Sequence, residues 1–178
     1  MYHLWAPWRM AYIDAGATKD EGCIFCTKPA EHRDEENLLL YRSERCFVLM
    51  NLFPYNNGHL MVAPYVHVPT ILELDPPTLT DIMTTTQRCL SALQRAMGPH
   101  GFNMGINQGS VAGAGITDHV HFHIVPRWNG DTNFMPVLAD TKVMPDYLRN
   151  TYRQIRPFLE NPADHENSPT PAAPVKDP

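Results

Sequence analysis

The stretch "DHVHFHIVPRW", residues 118–128, sets His119, His121 and His123 on every second position with Val120, Phe122 and Ile124 between them. A period of two belongs to a β-strand, whose successive side chains leave on opposite faces. An extended segment over 119–126 therefore predicts three imidazoles on one face and three apolar side chains turned to a core. A helix would scatter them. The whole chain carries only nine histidines, so this spacing also demands a chemical reason.

Four more short runs read as strands: "NLLLYR" (37–42), "CFVLMN" (46–51), "HLMVAP" (59–64) and "FNMGIN" (102–107). The cluster "FPYNNG" supplies the turn between the second and third of these. "DPPTLTDIMTTTQRCLSALQRAMG" is the clearest helix, with Asp75 as N-cap, prolines in its first turn, and Gly98 and Pro99 as its stop. Its apolar spacing predicts a buried stripe of Leu79, Ile82, Met83, Leu90, Leu93 and Met97. A second helix is expected over 145–158. Strand pairs separated by one long helix imply an α+β domain: an antiparallel sheet of five strands with the long helix packed on one face and a C-terminal helix beside it.

At 178 residues and 43% hydrophobic content the chain is long enough for one real core. After residue 160, "NPADHENSPTPAAPVKDP" holds five prolines and no aromatic residue. Such a segment buries too little apolar surface to offset its ordering entropy. The expected organisation is therefore a catalytic domain over 1–160 and a disordered tail over 161–178. The sequence contains no apolar run of membrane-spanning length, and "MYHLWAPWRMAYIDAG" lacks the pattern of a secretory signal. A cytoplasmic protein without a membrane partner is expected. A net charge of −5 with scattered Lys and Arg argues against a nucleic-acid backbone as partner.

Cys23 and Cys26 form a C-x-x-C, whereas Cys46 and Cys89 stand alone in apolar surroundings. Two thiolates at that spacing are strong zinc ligands that still lack two partners. A redox pair would want a strand leading into the motif, and none precedes Cys23. Three histidines of one strand cannot complete the site together. At about 3.3 Å per residue the outer two lie roughly 13 Å apart, while zinc holds nitrogens at about 2.1 Å. One histidine of the triad and one from elsewhere could join the cysteines. The remaining histidines are then available for chemistry. Imidazole, with a pKa of about 6.5, is largely neutral near pH 7 and can attack phosphorus directly, giving a labile covalent intermediate. Just upstream, "NMGINQGSVAGAGITDH" offers Gly105, Gly109, Gly113 and Gly115, whose peptides can approach a phosphate closely.

"HVHFHIVPR" resembles the signature of the histidine-triad nucleotide hydrolases and transferases, and "NLFPYNNGHLMVAP" followed by His67 resembles that family's other landmark. "LWAPWRMAYI" and "PRWNGDTNF" resemble more narrowly its diadenosine tetraphosphate phosphorylase branch. The resemblance implies an antiparallel sheet, a homodimer, and His121 as the nucleophile on the α-phosphate with a backbone carbonyl holding its Nδ1–H. It implies that His123 binds phosphate oxygens, Asn51 meets ribose, Asn107 lies on the phosphate side where Gly113 and Gly115 follow, and His59 orients the triad. It implies structural zinc on Cys23, Cys26, His67 and His119. Where relatives carry Gln or Ser before the triad, this chain has Ala114 and Gly115, which leaves that contact to backbone. Trp128 and Phe134 are candidates to stack a base or, equally, to form a hydrophobic dimer contact. The implied reaction is cleavage of dinucleoside polyphosphates, diadenosine tetraphosphate first, with inorganic phosphate or water as acceptor. A hydrolase of nucleoside phosphoramidates or adenylates, or a noncatalytic nucleotide sensor, are the alternatives.

Overall fold

The structure, a computed structural model, describes residues 22–131 and 147–161. All but Asn161 of the expected tail over 161–178, the N-terminal "LWAPWRMAYI" and Phe134 lie outside the described residues. Among the described residues, three α-helices and five strands follow in the order α1 (Ile24–Ala30), β1 (Leu39–Arg42), β2 (Cys46–Met50), β3 (Leu60–Pro64), α2 (Pro76–Met97), β4 (Gly101–Ile106), β5 (Phe122–Arg127) and α3 (Leu148–Glu160). The strands form one sheet in the order β1-β2-β3-β5-β4, and every neighbouring pair is antiparallel. This is the expected α+β architecture.

The central strands β2 and β3 are buried on both faces, which is why they read as continuous apolar runs. Cys46, Val48, Met50, Leu60 and Val62 join a large core with residues of α2 and α3 on one face. Phe47, Leu49, Met61 and Ala63 form a smaller cluster on the other face with Phe25 of α1. Cys46 and Cys89 are core thiols, with burial pushing Cys46 up to about 12 and Cys89 up as well.

Helix α2 begins and ends where the sequence places it: Asp75 accepts from the Thr78 N–H at 2.9 Å, and Gly98 closes it in the left-handed conformation at φ 56°. Its buried face differs from the expected stripe. Met83 is 54% exposed, while Thr85 and Thr86 are buried. The threonines tolerate this because Thr86 Oγ1 donates to Ile82 O at 2.8 Å and Thr85 Oγ1 accepts from the Cys46 thiol at 3.4 Å. Helix α3 starts three residues later than expected and is pinned by Tyr152, whose hydroxyl donates to Leu39 O at 3.0 Å. None of the described helices is long and apolar enough to cross a membrane.

The strand expected over 119–126 is shorter at its start, since pairing begins at Phe122. Before it, Val120 N donates to Val68 O at 2.8 Å, a single bond outside the sheet. His119 and His121 thus precede the strand and His123 lies within it, opposite Gly105 of β4 and Met61 of β3. Leaving the ladder frees the backbone of 119–121 to aim its side chains separately.

Candidate active site and metal centre

His119, fully buried, turns toward α1. Its Nδ1 lies 3.3 Å from Cys23 Sγ, 3.6 Å from Cys26 Sγ and 3.2 Å from His67 Nδ1, and Cys26 Sγ is 3.3 Å from His67 Nδ1. The four ligand atoms all lie within 4.8 Å of one another. A tetrahedron with bonds of about 2.0–2.3 Å has corners roughly 3.3–3.8 Å apart, so these atoms stand close to where one ion would hold them. The remaining nitrogen of His119 donates to Pro64 O at 2.9 Å, which leaves Nδ1 bare as a ligand must be. Burial, opposed by that carbonyl and aided by His67 and His121, holds the His119 imidazole below its ordinary range. Burial, then the neighbouring Cys23, pushes the Cys26 thiol up. Without a cation the second thiolate is costly. Two sulfurs and two imidazoles suit a tetrahedral metal such as zinc.

His121 is buried at 4% exposure. Its Nδ1 donates to His119 O at 2.9 Å, a carbonyl that can only accept, so Nε2 keeps its lone pair. Burial holds the imidazole below its ordinary range, against that hydrogen bond. Phe25, the fully buried residue between the two cysteines, forms one wall. Its ring centroid lies 4.7 Å from that of His121 and 5.2 Å from that of His119. His123 stands on the other side, edge-on at 4.8 Å.

Behind His123 lies His59, fully buried, with Nε2 2.9 Å from His123 Nδ1. Tyr55 packs its ring against both, at 4.7 and 5.8 Å. Asn51 closes the β2–β3 turn: its N–H donates to His59 O at 3.0 Å and its Oδ1 accepts from Phe53 N at 2.9 Å. Asn107 spans the glycine loop, donating to Gly113 O at 3.4 Å. Gly113 is left-handed at φ 84°, and Gly115 is exposed. Trp128 is half-buried, and its N–H donates to Asp131 at 3.1 Å.

The structure therefore brings the four expected metal ligands into one cluster and sets His59, His121 and His123 side by side. Asn51 sits at the edge of that group, with Nδ2 3.4 Å from His59 Nδ1, whereas Asn107 makes its hydrogen bond within the glycine loop. Sequence reasoning missed Phe25, Tyr55 and the carbonyl of Pro64. Phe25 had a signal, an aromatic residue inside the C-x-x-C.

The HIT domain family model matches residues 32–130. Over 159 residues, 86% of this chain and 82% of the relative, the sequence is 37% identical to the AP-4-A phosphorylase of Mycobacterium tuberculosis. It is 33% identical over 93 residues, 52% of this chain and 50% of the relative, to the asymmetrical bis(5'-nucleosyl)-tetraphosphatase of Schizosaccharomyces pombe. Among solved structures, a Zn-bound histidine triad family protein from Mycobacterium smegmatis superposes with a TM-score of 0.63 at 26% identity, covering 78% of this chain and 94% of that one. A histidine triad nucleotide-binding protein from Sulfolobus tokodaii gives 0.64 at 26% identity, covering 78% and 92%. The family match lies over the strands and loops that carry the histidines, and this chain belongs to the HIT domain family of enzymes.

Proposed function

We propose that the chain is a nucleotidyl transferase acting on dinucleoside polyphosphates, with diadenosine tetraphosphate as substrate and inorganic phosphate as acceptor. The observation that carries this reading is the pairing of His121 Nδ1 with His119 O, which presents a neutral Nε2 lone pair inside a dry wall. The mycobacterial and yeast relatives, named for AP-4-A and bis(5'-nucleosyl) tetraphosphate chemistry, support the substrate class. Nε2 attacks the α-phosphorus, the phosphoanhydride bond breaks, and ATP departs with the bonding pair. A phosphate oxygen then attacks the adenylyl group, the P–N bond breaks, and ADP leaves with His121 restored. Water in the same role gives AMP.

His123 donates to the phosphoryl oxygens, and the peptides around Gly113 and Gly115, with Asn107 at the mouth of the loop, receive the charge. An amide has two hydrogens and two lone pairs, so Asn51 can meet the ribose while keeping its contact to Phe53. Cys23, Cys26, His67 and His119 would hold zinc, whose contribution is structural. The catalytic unit is residues 1–160, working as a homodimer in the cytoplasm. Incubation with diadenosine tetraphosphate, with and without inorganic phosphate, tests the reaction. ADP and ATP are expected with phosphate present. AMP and ATP in both arms would make the enzyme a hydrolase, and no cleavage at any enzyme concentration would remove the substrate assignment.

A further inference from the structure

His59 takes no part in bond making as drawn above, yet both its nitrogens are committed. Nδ1 lies 3.1 Å from the main-chain N–H of Tyr55 and 3.4 Å from Nδ2 of Asn51. A main-chain N–H can only donate. The Asn51 amide is oriented the same way, because its Oδ1 accepts from Phe53 N at 2.9 Å and so turns the NH2 group toward His59. Two donors on one nitrogen require a lone pair there. The neutral ring must then carry its proton on Nε2, and 2.9 Å away is Nδ1 of His123. That atom in turn accepts, which puts the proton of His123 on its own Nε2.

We infer that the Tyr55 main-chain N–H and the Asn51 amide are positioning groups that set, through His59, the tautomer of His123, fixing His123 as a neutral hydrogen-bond donor that keeps its proton through the reaction. The inference rests on the reading of His123 as the phosphate-binding histidine. The chain of donors ends on a peptide amide, and that ending decides the chemistry. To give up its Nε2 proton, His123 would take one from His59, and His59 one from Tyr55 N–H, which a peptide does not release. His123 therefore stabilises charge without transferring a proton. This arrangement suits a leaving group that departs as an anion, such as a nucleoside polyphosphate. It does not serve an amine that must be protonated to leave.

Nitrogen NMR of the full chain labelled at histidine reads the tautomers directly and needs no substrate. His59 and His123 are each expected in a single form with the proton on Nε2. A proton on Nδ1 of either ring overturns the inference. Tyr55→Phe keeps the N–H and should keep these signals, whereas Tyr55→Pro removes it and should mix the tautomers. Relative to Tyr55→Phe, Tyr55→Pro should lower kcat by at least about tenfold with KM within about twofold, well short of the roughly 10⁴-fold cost of a mis-set catalytic histidine tautomer in a hydrolytic triad. Equal kcat and unchanged signals in Tyr55→Pro also overturn it. A chain with the expected tautomers that fails to cleave diadenosine tetraphosphate would overturn the substrate assignment and leave this inference standing.

Discussion

Three histidines at alternate positions reach three different surroundings because each has a different partner for its second nitrogen. Pro64 O accepts a hydrogen bond from His119, His119 O accepts one from His121, and His59 faces Nδ1 of His123. Removing each ring should fail differently. If His121 is the nucleophile proposed above, His121→Asn is expected to keep nucleotide binding while kcat falls by about 10³-fold or more. His123→Asn should retain slow turnover, with a transition-state loss of about 2.7–4 kcal/mol if it behaves as a lost oxyanion donor. Single-turnover kinetics beside a nucleotide-binding titration separates the two. Comparable kcat in both variants would deny them separate jobs.

The pH dependence follows from the same environments. Burial lowers the His121 pKa, so this ring stays neutral further into acid than a free imidazole, and the pH profile tests it as the proposed nucleophile. The acid limb of kcat/KM should accordingly fall below about 6.5. The stability sign agrees: a depressed folded-state pKa contributes stability that is present above the unfolded value and is lost as pH falls through the folded one. A limb at or above the ordinary imidazole value would show that His121 is not the group being titrated. At this scale the grouping of the histidines with the C-x-x-C was legible because their chemistry is spelled in side chains. The Tyr55 N–H and the Pro64 carbonyl were not, because every residue carries those groups and only the fold decides which ones face a ring.

Among the elements, the β2–β3 turn does most to place the site, since it delivers Asn51, Tyr55 and His59 within nine residues of chain. It can turn so tightly against α2 because Gly58 adopts φ +72°. A Cβ there would stand 2.8 Å from Met97 Sδ and 3.3 Å from Leu93 Cδ2. The methionine end can yield, whereas the backbone conformation cannot change without moving His59. Gly58→Ala should thus cost about 1–3 kcal/mol of unfolding free energy in denaturant titrations, and a loss of activity should accompany it. A neutral effect would mean that the turn relaxes without the strain. The strands were legible here to within a few residues, as was α2 with its cap. The start of β5 was not, because alternation continues through 119–121 while the hydrogen bonds do not. Met83 was misread because its spacing fits the stripe, while two threonines bonded inside the helix take the buried positions.

Across the whole molecule, the sheet separates the large core on one face from the site on the other, and α1 closes the second face through Phe25 and the two cysteines. Residues distant in sequence, Cys23 and Cys26 on one side and His67 and His119 on the other, come together there. Cys26→Ser is expected to lower metal content and melting temperature together, read by elemental analysis and thermal unfolding of the same preparation. Full stability in a metal-poor variant would make the cluster dispensable.

That short helix also joins two functions in four residues, because Phe25 lies between the thiols and against the ring of His121. Cys26 is exposed. Chemistry at that sulfur requires no entry into the pocket of His121 and His123. Loss of the ligand would loosen α1, let water reach His121 and return its ring toward ordinary imidazole behaviour. A change at Cys26 would thus be felt at His121 through Phe25, without touching the histidine pocket itself.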